Sequence, residues 1–454
     1  MKIMKTKALL ITLIALIVVT IHAKAQEGEP PPQVLFKNTN VFDGKGGKLR
    51  NNVDVLVVGN LIKGIGKDLV ASNGATIIDA GGRTLMPGLI DAHVHLMLNG
   101  LPSDMIYEET WGYVGALSVA GAKSMLLRGF TTVRDVGGPV GGLKQAIDEG
   151  VVEGPRVFPS GPYITQTSGH ADLETSKYKL SPYFTGIPDK SEILGWGFVA
   201  DGVPEVQKAA REVLRTGSTQ IKVMAGGGVS SHFDPLDTQQ YTLEELSAIV
   251  TEAEHWGTYV AVHAYNDKSV NTAVKAGVKT IEHGPFLTDK TLKLMAKKGV
   301  WLVPQAYIFG MTPKELHIEG TPSEAKMLQV NRESENVLRL AKKYGVKIAW
   351  GTDLFGPPAK QAKQPLEFRA RAKFFTPVEI LKQATSGNAE LLNLSGLRHP
   401  YREGSLGEIK VGAYADILLI DGNPLKDIEI MTNPEKNYRI IMKNGVIYKN
   451  TLPK

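Results

Sequence analysis

Residues 85–95 read LMPGLIDAHVH, an apolar run that leads into Asp91 and the pair His93 and His95. Successive side chains of a β-strand alternate between its two faces, so the two histidines should point the same way. At this spacing both imidazoles can bind one metal ion. A His-x-His pair also arises by chance, so the metal interpretation depends on the rest of the chain.

The composition is that of a folded globular protein. The chain has 454 residues, of which 43% are apolar and 22% are charged, and these fractions are not those of a disordered protein. This length is sufficient for one large domain with an appendage, or for about two to three average domains.

The N-terminus has the three parts of an export signal. Lysines at positions 2, 5 and 7 precede an apolar stretch at residues 8–21, and Ala23-Lys24-Ala25 has the small-x-small pattern of a cleavage site. An uncleaved membrane anchor is the alternative, but the run is short for a span of about 20 residues. We therefore predict a signal peptide over residues 1–25, cleavage near Ala25, a periplasmic or secreted mature protein, and no stable membrane anchor.

The chain contains no cysteine. This excludes a lipoprotein anchor, a cysteine nucleophile, thiolate metal ligands and disulfides, and it suits an exported protein in an oxidising periplasm. The formal net charge of +6 includes four lysines of the predicted signal peptide, so the mature chain would carry +2. Its basic residues form no cluster, and we expect no nucleic-acid partner.

Both ends of the mature chain have the pattern of short antiparallel strands. Alternating apolar residues, separated by Gly and Asn, occur between residues 33 and 83 and return at 407–412, 415–420 and 439–448. We predict that the two ends form one small β-sandwich domain, from residues 26–84 and 397–454.

Between these ends, buried-type strands alternate with amphipathic helical stretches. The strands are expected at residues 88–93, 131–135, 156–160, 220–224, 259–263, 280–283, 300–304 and 346–353, with helices such as 204–216, 242–256, 288–298 and 322–344. Eight strand–helix units indicate an α/β fold, a (β/α)8 TIM barrel over residues 85–396. A doubly wound open sheet is the alternative, but no Gly-x-Gly-x-x-Gly turn opens a first helix.

Residues that could bind a metal ion or act as an acid or base lie at the ends of these predicted strands. In a TIM barrel the catalytic residues lie at the ends of the strands. A lone core histidine is usually structural, but that explanation does not extend to a whole set of such residues at one rim. We therefore predict a metal site. Its candidate residues are His93, His95, Lys222, His263, His283 and Asp353.

The order His-x-His, Lys, His, His, Asp on successive strands resembles the amidohydrolase superfamily of metal-dependent hydrolases. The resemblance covers nearly the whole mature chain, including the split β-domain and residues 404–416. Residues 131–135 and 222–235 are similar to the branch that contains Xaa-Pro dipeptidases, carboxypeptidase-type enzymes and imidazolonepropionase-like proteins. The resemblance implies two metal ions, which we expect to be zinc, the more buried one bound by His93, His95 and Asp353 and the second by His263 and His283.

By the same resemblance Lys222 would bridge the two ions as a carbamate formed with carbon dioxide. An ammonium cannot bind a cation, whereas a carbamylated lysine is an anion with two oxygens. The alternative is a lysine whose stem packs while its head reaches solvent, but the strand from Ile221 to Met224 is otherwise apolar. A hydroxide bridging the metals would attack the substrate carbonyl, and Asp353 would move its proton to the leaving nitrogen.

Three further polar residues are candidates with an alternative each. His170 follows the third strand and could polarise the substrate carbonyl, and Tyr265 could donate to a substrate carboxylate; for both, the alternative is a structural role in a loop. Arg134 could bind a substrate carboxylate, or could pair with Asp135 or another acid at the barrel rim.

The predicted function is that of a metal-dependent amidohydrolase. It would cleave a C–N amide bond of dipeptides of the Xaa-Pro type or of N-acyl amino acids. A first alternative is a hydrolase of a cyclic amide, a lactone or a phosphotriester, because fold and metal do not set the substrate. A second is a non-catalytic binding protein, which the complete set of ligands disfavours. Whether the protein forms a homo-oligomer stays open.

Overall fold

The computed structural model describes residues 31–100, 109–172, 182–231 and 233–453. The predicted signal peptide lies outside the described residues. The strands are β1 (Gln33–Val41), β2 (Arg50–Val58), β3 (Leu61–Gly66), β4 (Thr76–Asp79), β5 (Thr84–Pro87), β6 (Leu89–Val94), β7 (Phe130–Asp135), β8 (Arg156–Pro159), β9 (Tyr163–Thr165), β10 (Gly197–Val199), β11 (Ile221–Met224), β12 (Val260–Asn266), β13 (Thr280–Phe286), β14 (Trp301–Val303), β15 (Lys347–Ile348), β16 (Ile417–Ile420), β17 (Tyr438–Lys443) and β18 (Val446–Asn450).

The two ends of the described chain meet in one eight-stranded sheet of order β18-β17-β16-β5-β1-β2-β3, with β4 paired to β1. The junction is the antiparallel pair of β5 and β16. Alternating apolar residues of this sheet, such as Phe36, Val55 and Ile440, bury their side chains in one core. The expected strand at residues 407–412 is wrong: the segment is a turn, closed by Ala413 N–H donating to Lys410 O.

The apolar run 85–90 is divided at Gly88 between two sheets. β5 belongs to the sheet of the chain ends, whereas β6 begins the parallel strands. A Cβ at Gly88 would lie 2.1 Å from Thr131 Oγ1, so only glycine lets the chain pass there. The sheet of the chain ends therefore continues to Pro87, three residues beyond the boundary predicted at residue 84.

The remaining strands are parallel. β6, β7 and β8 form one sheet, and the other has the order β10-β9-β11-β12-β13-β14-β15. Backbone hydrogen bonds join the two sheets on both sides, from Ala92 N to Trp350 O (2.9 Å) and from Thr219 N to Pro159 O (2.7 Å). All eight predicted strands contain a strand, although 346–353 is strand only at Lys347–Ile348, and β9 and β10 were not predicted. This is a mixed α/β fold with parallel sheets, consistent with the TIM-barrel type.

Helices cover the outside of the parallel strands, and the four predicted ones are present. The α-helices are Trp111–Leu127, Gly141–Asp148, Pro182–Thr185, Lys190–Ile193, Val203–Arg215, Leu243–His255, Asp267–Ala276, Asp289–Lys298, Pro313–Leu316, Pro322–Tyr344, Pro358–Gln361, Leu366–Arg371, Pro377–Lys382, Asn388–Leu392 and Pro434–Asn437. Short 3-10 or π-helical turns occur at Leu96–Leu98, Ile308–Gly310, Gln383–Gly387, Asn393–Arg398 and Ile428–Thr432.

The helix Leu243–His255 shows how local sequence sets these elements. Thr242 caps it, because its hydroxyl accepts from the N–H of Glu245 while the Glu245 carboxylate accepts from the N–H of Thr242. Residues 246, 249, 250 and 253 are buried, which is the spacing of one helix face. Among the described residues no helix has both the length and the apolar character that a membrane span requires.

Arg156 on β8 links the parallel strands to the C-terminal segment. Its guanidinium donates to both oxygens of Asp416, at 3.1 and 3.4 Å, and to Asn444 Oδ1 at 2.6 Å. The same group stacks 3.9 Å above the Tyr414 ring. Arg156 and Asp416 are both buried, so the pair holds the sheet of the chain ends against the strands that carry the candidate site.

Candidate metal centre

Parallel strands bring the predicted ligands together. His93, His263 and His283 lie in β6, β12 and β13, His95 follows β6, and Asp353 follows β15. One ligand atom from each of His93, His283 and Asp353 can be chosen so that all lie within 4.8 Å of one another. The ring centroids of His93 and His95 are 5.4 Å apart, and those of His263 and His283 are 4.5 Å apart. A group of histidines and an aspartate that could hold a metal ion is therefore present.

Two backbone conformations of positive φ shape this group. His283 follows Glu282 in β13, and regular alternation would turn the two side chains to opposite faces. His283 has a φ of +77°, which breaks the alternation, and both side chains are buried at the centre. Asp353 has a φ of +54°, and its N–H donates to His93 O at 2.9 Å. Non-glycine residues adopt such angles in only a few per cent of cases, and the strain that they carry is often found at functional sites.

His93 and His95 each donate one ring N–H to the protein. Nδ1 of His93 donates to Glu282 Oε2 at 2.8 Å, and Nδ1 of His95 donates to Gly137 O at 3.1 Å. A neutral imidazole has one N–H and one lone pair. The hydrogen bonds thus leave the Nε2 lone pair of each ring for a metal ion.

His263 and His283 also each donate one ring N–H to the protein, His263 from Nε2 and His283 from Nδ1. Nε2 of His263 donates to Gly227 O at 3.2 Å, which leaves the lone pair on Nδ1. Nδ1 of His283 donates to Gln305 Oε1 at 2.7 Å, which leaves the lone pair of this ring on Nε2. Gln305 is oriented in turn by donating to Val303 O at 2.7 Å.

The lone pairs converge at the spacing that a metal ion needs. Asp353 Oδ1 lies 3.5 Å from His93 Nε2 and 3.4 Å from His95 Nε2. Two ligands bound tetrahedrally at 2.1 Å are separated by about 3.4 Å. His93 Nε2 and Asp353 Oδ1 are buried without a hydrogen-bond partner among the described residues. These atoms fit a divalent cation, which would satisfy both.

Burial and the neighbouring side chains set the protonation states of the ligands. Loss of water lowers the pKa of His93 to about 4 and that of His283 to about 3, so both rings are neutral at pH 7. Burial acts to raise the pKa of Asp353, but the neighbouring histidines outweigh it and hold this pKa well below its usual range. Neutral imidazoles and an ionised carboxylate are the forms that bind a metal ion.

Lys222 is a buried residue of β11. It lies on the same face as His263, because Met224 pairs with His263 and Lys222 is two residues earlier. Burial lowers the pKa of Lys222 to about 8, although the carboxylates of Glu282 and Asp353 act in the opposite direction. The amine is therefore more often neutral than that of an exposed lysine.

The structure corrects the substrate role predicted for Arg134. Its guanidinium is completely buried, with Nη2 2.8 Å from both oxygens of Glu282 and Nε donating to Ala92 O at 2.6 Å. Nη1 contacts Tyr259 and Thr280. Every nitrogen of the group is bound to the protein, so Arg134 pairs with an acid, the second of its two alternatives.

Glu282 is the functional residue that sequence reasoning missed. It accepts from both His93 and Arg134. These bonds outweigh the effect of its burial and hold its pKa well below the usual range. The available signal was a charged residue inside an otherwise buried strand, directly before a predicted ligand.

His170 and Tyr265 both lie against a predicted ligand. The His170 ring stacks on His263 with a centroid distance of 3.9 Å and an interplanar angle of 10°. The Tyr265 ring lies 4.8 Å from His263 on the basis of centroids. Burial raises the pKa of Tyr265 above its usual value, so its hydroxyl keeps its proton.

The chain matches a known protein family over most of its length. Residues 84–447 match the sequence profile of the amidohydrolase family. The chain belongs to this family. Members are generally metal-dependent hydrolytic enzymes, in line with the converging lone pairs.

Individual relatives include an ochratoxinase, a prolidase and a Xaa-Pro dipeptidase. Ochratoxinase from Aspergillus niger is 33% identical over 385 residues, which cover 80% of this chain and 75% of that protein. A prolidase solved with N-methylphosphonate-L-proline is 36% identical, with a TM-score of 0.84 over 92% of this chain and 100% of that one. A Xaa-Pro dipeptidase with bound methionine is 29% identical, with a TM-score of 0.78 and the same coverage.

We expect Glu282→Gln to weaken zinc binding by about 10- to 100-fold, because His93 loses the carboxylate that orients it. Competition with a fluorescent zinc chelator measures this affinity. Asp416→Asn is the matched control, since it also removes the charge of a buried acid paired with a buried arginine, outside the centre. Equal zinc affinity in Glu282→Gln and the parent would contradict the role of Glu282.

Proposed function

We propose that this amidohydrolase is a binuclear zinc enzyme that cleaves the C–N amide bond of Xaa-Pro dipeptides or of N-acyl amino acids. The observation that carries the proposal is the convergence of His93 Nε2 and His95 Nε2 on Asp353 Oδ1. Among the described residues, His93 Nε2 and Asp353 Oδ1 are buried without a hydrogen-bond partner. His263 and His283 would hold a second ion, with carbamylated Lys222 between the two. Bound zinc supplies a Lewis acid for the carbonyl and brings the pKa of water near neutrality.

The side chains of this chain would then handle the proton and the substrate. Asp353 is ionised; its Oδ1 faces His93 and His95, and its Oδ2 lies 4.0 Å from His283 Nδ1. Oδ2 would accept a proton from the attacking water and return it to the leaving nitrogen. His170 would polarise the carbonyl oxygen. Tyr265, as a protonated donor, would bind the substrate carboxylate in place of Arg134, whose nitrogens are all occupied by protein atoms.

The relatives support the substrate class. Two of the similar structures are named for the hydrolysis of proline peptides, and one of them binds a proline phosphonate. The backbone bonds between the two parallel sheets support a closed (β/α)8 barrel. The shared sheet of the chain ends supports a small β-domain, which we propose to be a sandwich. The leader pattern of residues 1–25 supports export to the periplasm, and a mature N-terminus at or near Gln26 is expected.

We expect close to two zinc ions per chain and hydrolysis of Met-Pro by the zinc-loaded protein. His93→Ala, His263→Ala and Asp353→Asn should each lower kcat/KM by at least about a hundredfold, because each removes a ligand. Metal analysis and a panel of dipeptide, N-acetyl amino acid, lactone and paraoxon substrates measure both.

Two outcomes would contradict this expectation in different ways. Protein purified without chelator that contains no metal, and that added zinc does not activate, would rule out the metal mechanism. Hydrolysis of the lactone or of paraoxon, with no cleavage of either amide class, would leave the metal centre standing and change the substrate class.

We expect Lys222→Ala to weaken metal binding, because an anionic bridge is lost, and a short carboxylic acid in the buffer to restore part of the activity. Metal-free parent protein should reactivate faster with bicarbonate, since a carbamate forms from the neutral amine and carbon dioxide. Zinc content and reactivation rate measure these effects.

Lys443→Ala is the matched control. Lys443 is also buried, burial lowers its pKa to about 8, and its ammonium donates to Gly154 O at 2.6 Å. This variant should keep its zinc and respond to bicarbonate as the parent does. Full metal content in Lys222→Ala, together with reactivation that does not depend on bicarbonate, would refute the bridge.

A further inference from the structure

Asp234 is the centre of a buried hydrogen-bond network around His170. Its Oδ2 lies 3.2 Å from His170 Nδ1 and accepts from the N–H of Gly228 at 2.9 Å and from Gln240 Nε2 at 3.3 Å. Its Oδ1 accepts from the Ser231 hydroxyl. The side chain is 1% exposed. None of the roles assigned above uses this carboxylate.

The hydrogen bonds of this network require a hydrogen on Nδ1 of His170. Ser231 gives its proton to Asp234, so Ser231 Oγ, 2.5 Å from Nδ1 of His170, can only accept there. The second neighbour of Nδ1 is the carboxylate itself, which is also an acceptor. Nδ1 is therefore a donor to this network. Only a ring that carries hydrogen on both nitrogens can then also donate from Nε2 to a substrate carbonyl.

The backbone of His170 is held as firmly as its ring. Its N–H donates to Gln240 Oε1 at 2.8 Å, and its carbonyl accepts from the Thr165 hydroxyl at 2.7 Å. On its other side the ring stacks on His263. A Cβ at Gly228 would lie 2.3 Å from His170 Cε1 and 2.8 Å from His263 Nε2. The glycine therefore lets the loop after β11 close onto both rings.

Lys326, in the helix Pro322–Tyr344, anchors the loop that carries Asp234. Its ammonium donates to the carbonyls of Gly228 (2.9 Å), Ser231 (2.9 Å) and Asp234 (2.7 Å). These bonds use all three of its protons. Ser323 adds a hydrogen bond to Val229 O at 2.6 Å. The loop is thereby fixed to the outer helix.

We propose that Asp234 is a positioning residue for amide hydrolysis: by accepting from Nδ1–H it fixes the orientation of the His170 ring, so that a hydrogen on Nε2 is directed at the substrate carbonyl. This inference rests on the proposed function of His170. Burial acts to raise the pKa of Asp234, but the hydrogen bonds from His170 and Ser231 and the charge of Lys326 lower it to about 2. The carboxylate is consequently a constant acceptor at neutral pH.

The first test observes His170 without substrate. In zinc-loaded protein with 15N-labelled histidine, two-bond 1H–15N correlation spectra distinguish the two neutral tautomers and the doubly protonated ring, and His170→Asn identifies the His170 signal. We expect Nδ1–H in the parent and a changed or mixed pattern in Asp234→Ala. An unchanged His170 pattern in Asp234→Ala would overturn the proposal.

The second test separates positioning from folding. With Met-Pro, Asp234→Ala should lower kcat by at least about tenfold while KM stays within about threefold, because His170 is misaligned rather than lost. Asp234→Asn keeps an oxygen acceptor and should recover part of this loss. Asp416→Asn, a buried acid outside the site, should keep the parental kcat. A kcat within twofold of the parent in Asp234→Ala would overturn the proposal.

The two tests also distinguish the proposal from the proposed function. If the parent cleaves no amide, the assignment of the reaction fails, and the spectra still decide whether Asp234 holds the hydrogen on Nδ1 of His170. If Asp234→Ala does not fold, Asp234→Asn carries both measurements. A loss of kcat in Asp234→Asn that is matched by loss of zinc, with an unchanged His170 signal, would make the residue structural and overturn the proposal.

Discussion

One constraint dominates this structure: at the candidate metal centre, buried acceptor atoms face one another without a hydrogen bond between them. His93 Nε2 and Asp353 Oδ1 are in this position, 3.5 Å apart. An unsatisfied buried polar atom costs about 1–3 kcal/mol. A cation would remove this cost for both atoms at once, so the geometry of the strand ends fits a site that could hold a metal ion.

The groups around the ligands determine which nitrogen of each ring is free. Glu282, Gly137, Gly227 and Gln305 each accept one ring N–H. They come from different strands and loops, so the orientation of the ligands is a property of the whole set of parallel strands. Glu282 is itself held by Arg134, which ties the charge of the centre to the core beneath it.

The loop after β11 adds a second layer to the site. Through Asp234 and Gly228 it contacts His170 and closes over His263, and through Lys326 it is bonded to an outer helix. Gly228 in this loop permits a close approach to the rings, because a side chain there would collide with His170 and His263. The loop therefore joins a candidate catalytic histidine and a candidate metal ligand in one rigid arrangement.

The sequence by itself determined the eight predicted parallel strands, four of the helices and the residues at the strand ends, because alternation and helical periodicity are local properties. His93, His263 and His283 could be predicted as ligands for this reason. The sequence did not predict β9 and β10. Only the tertiary structure decided that Arg134 pairs with Glu282, 148 residues away, and that Asp234 holds His170. It also decided that the run 85–90 divides at Gly88. Such contacts join residues that are far apart in the chain, and a local sequence pattern does not contain the information that predicts them.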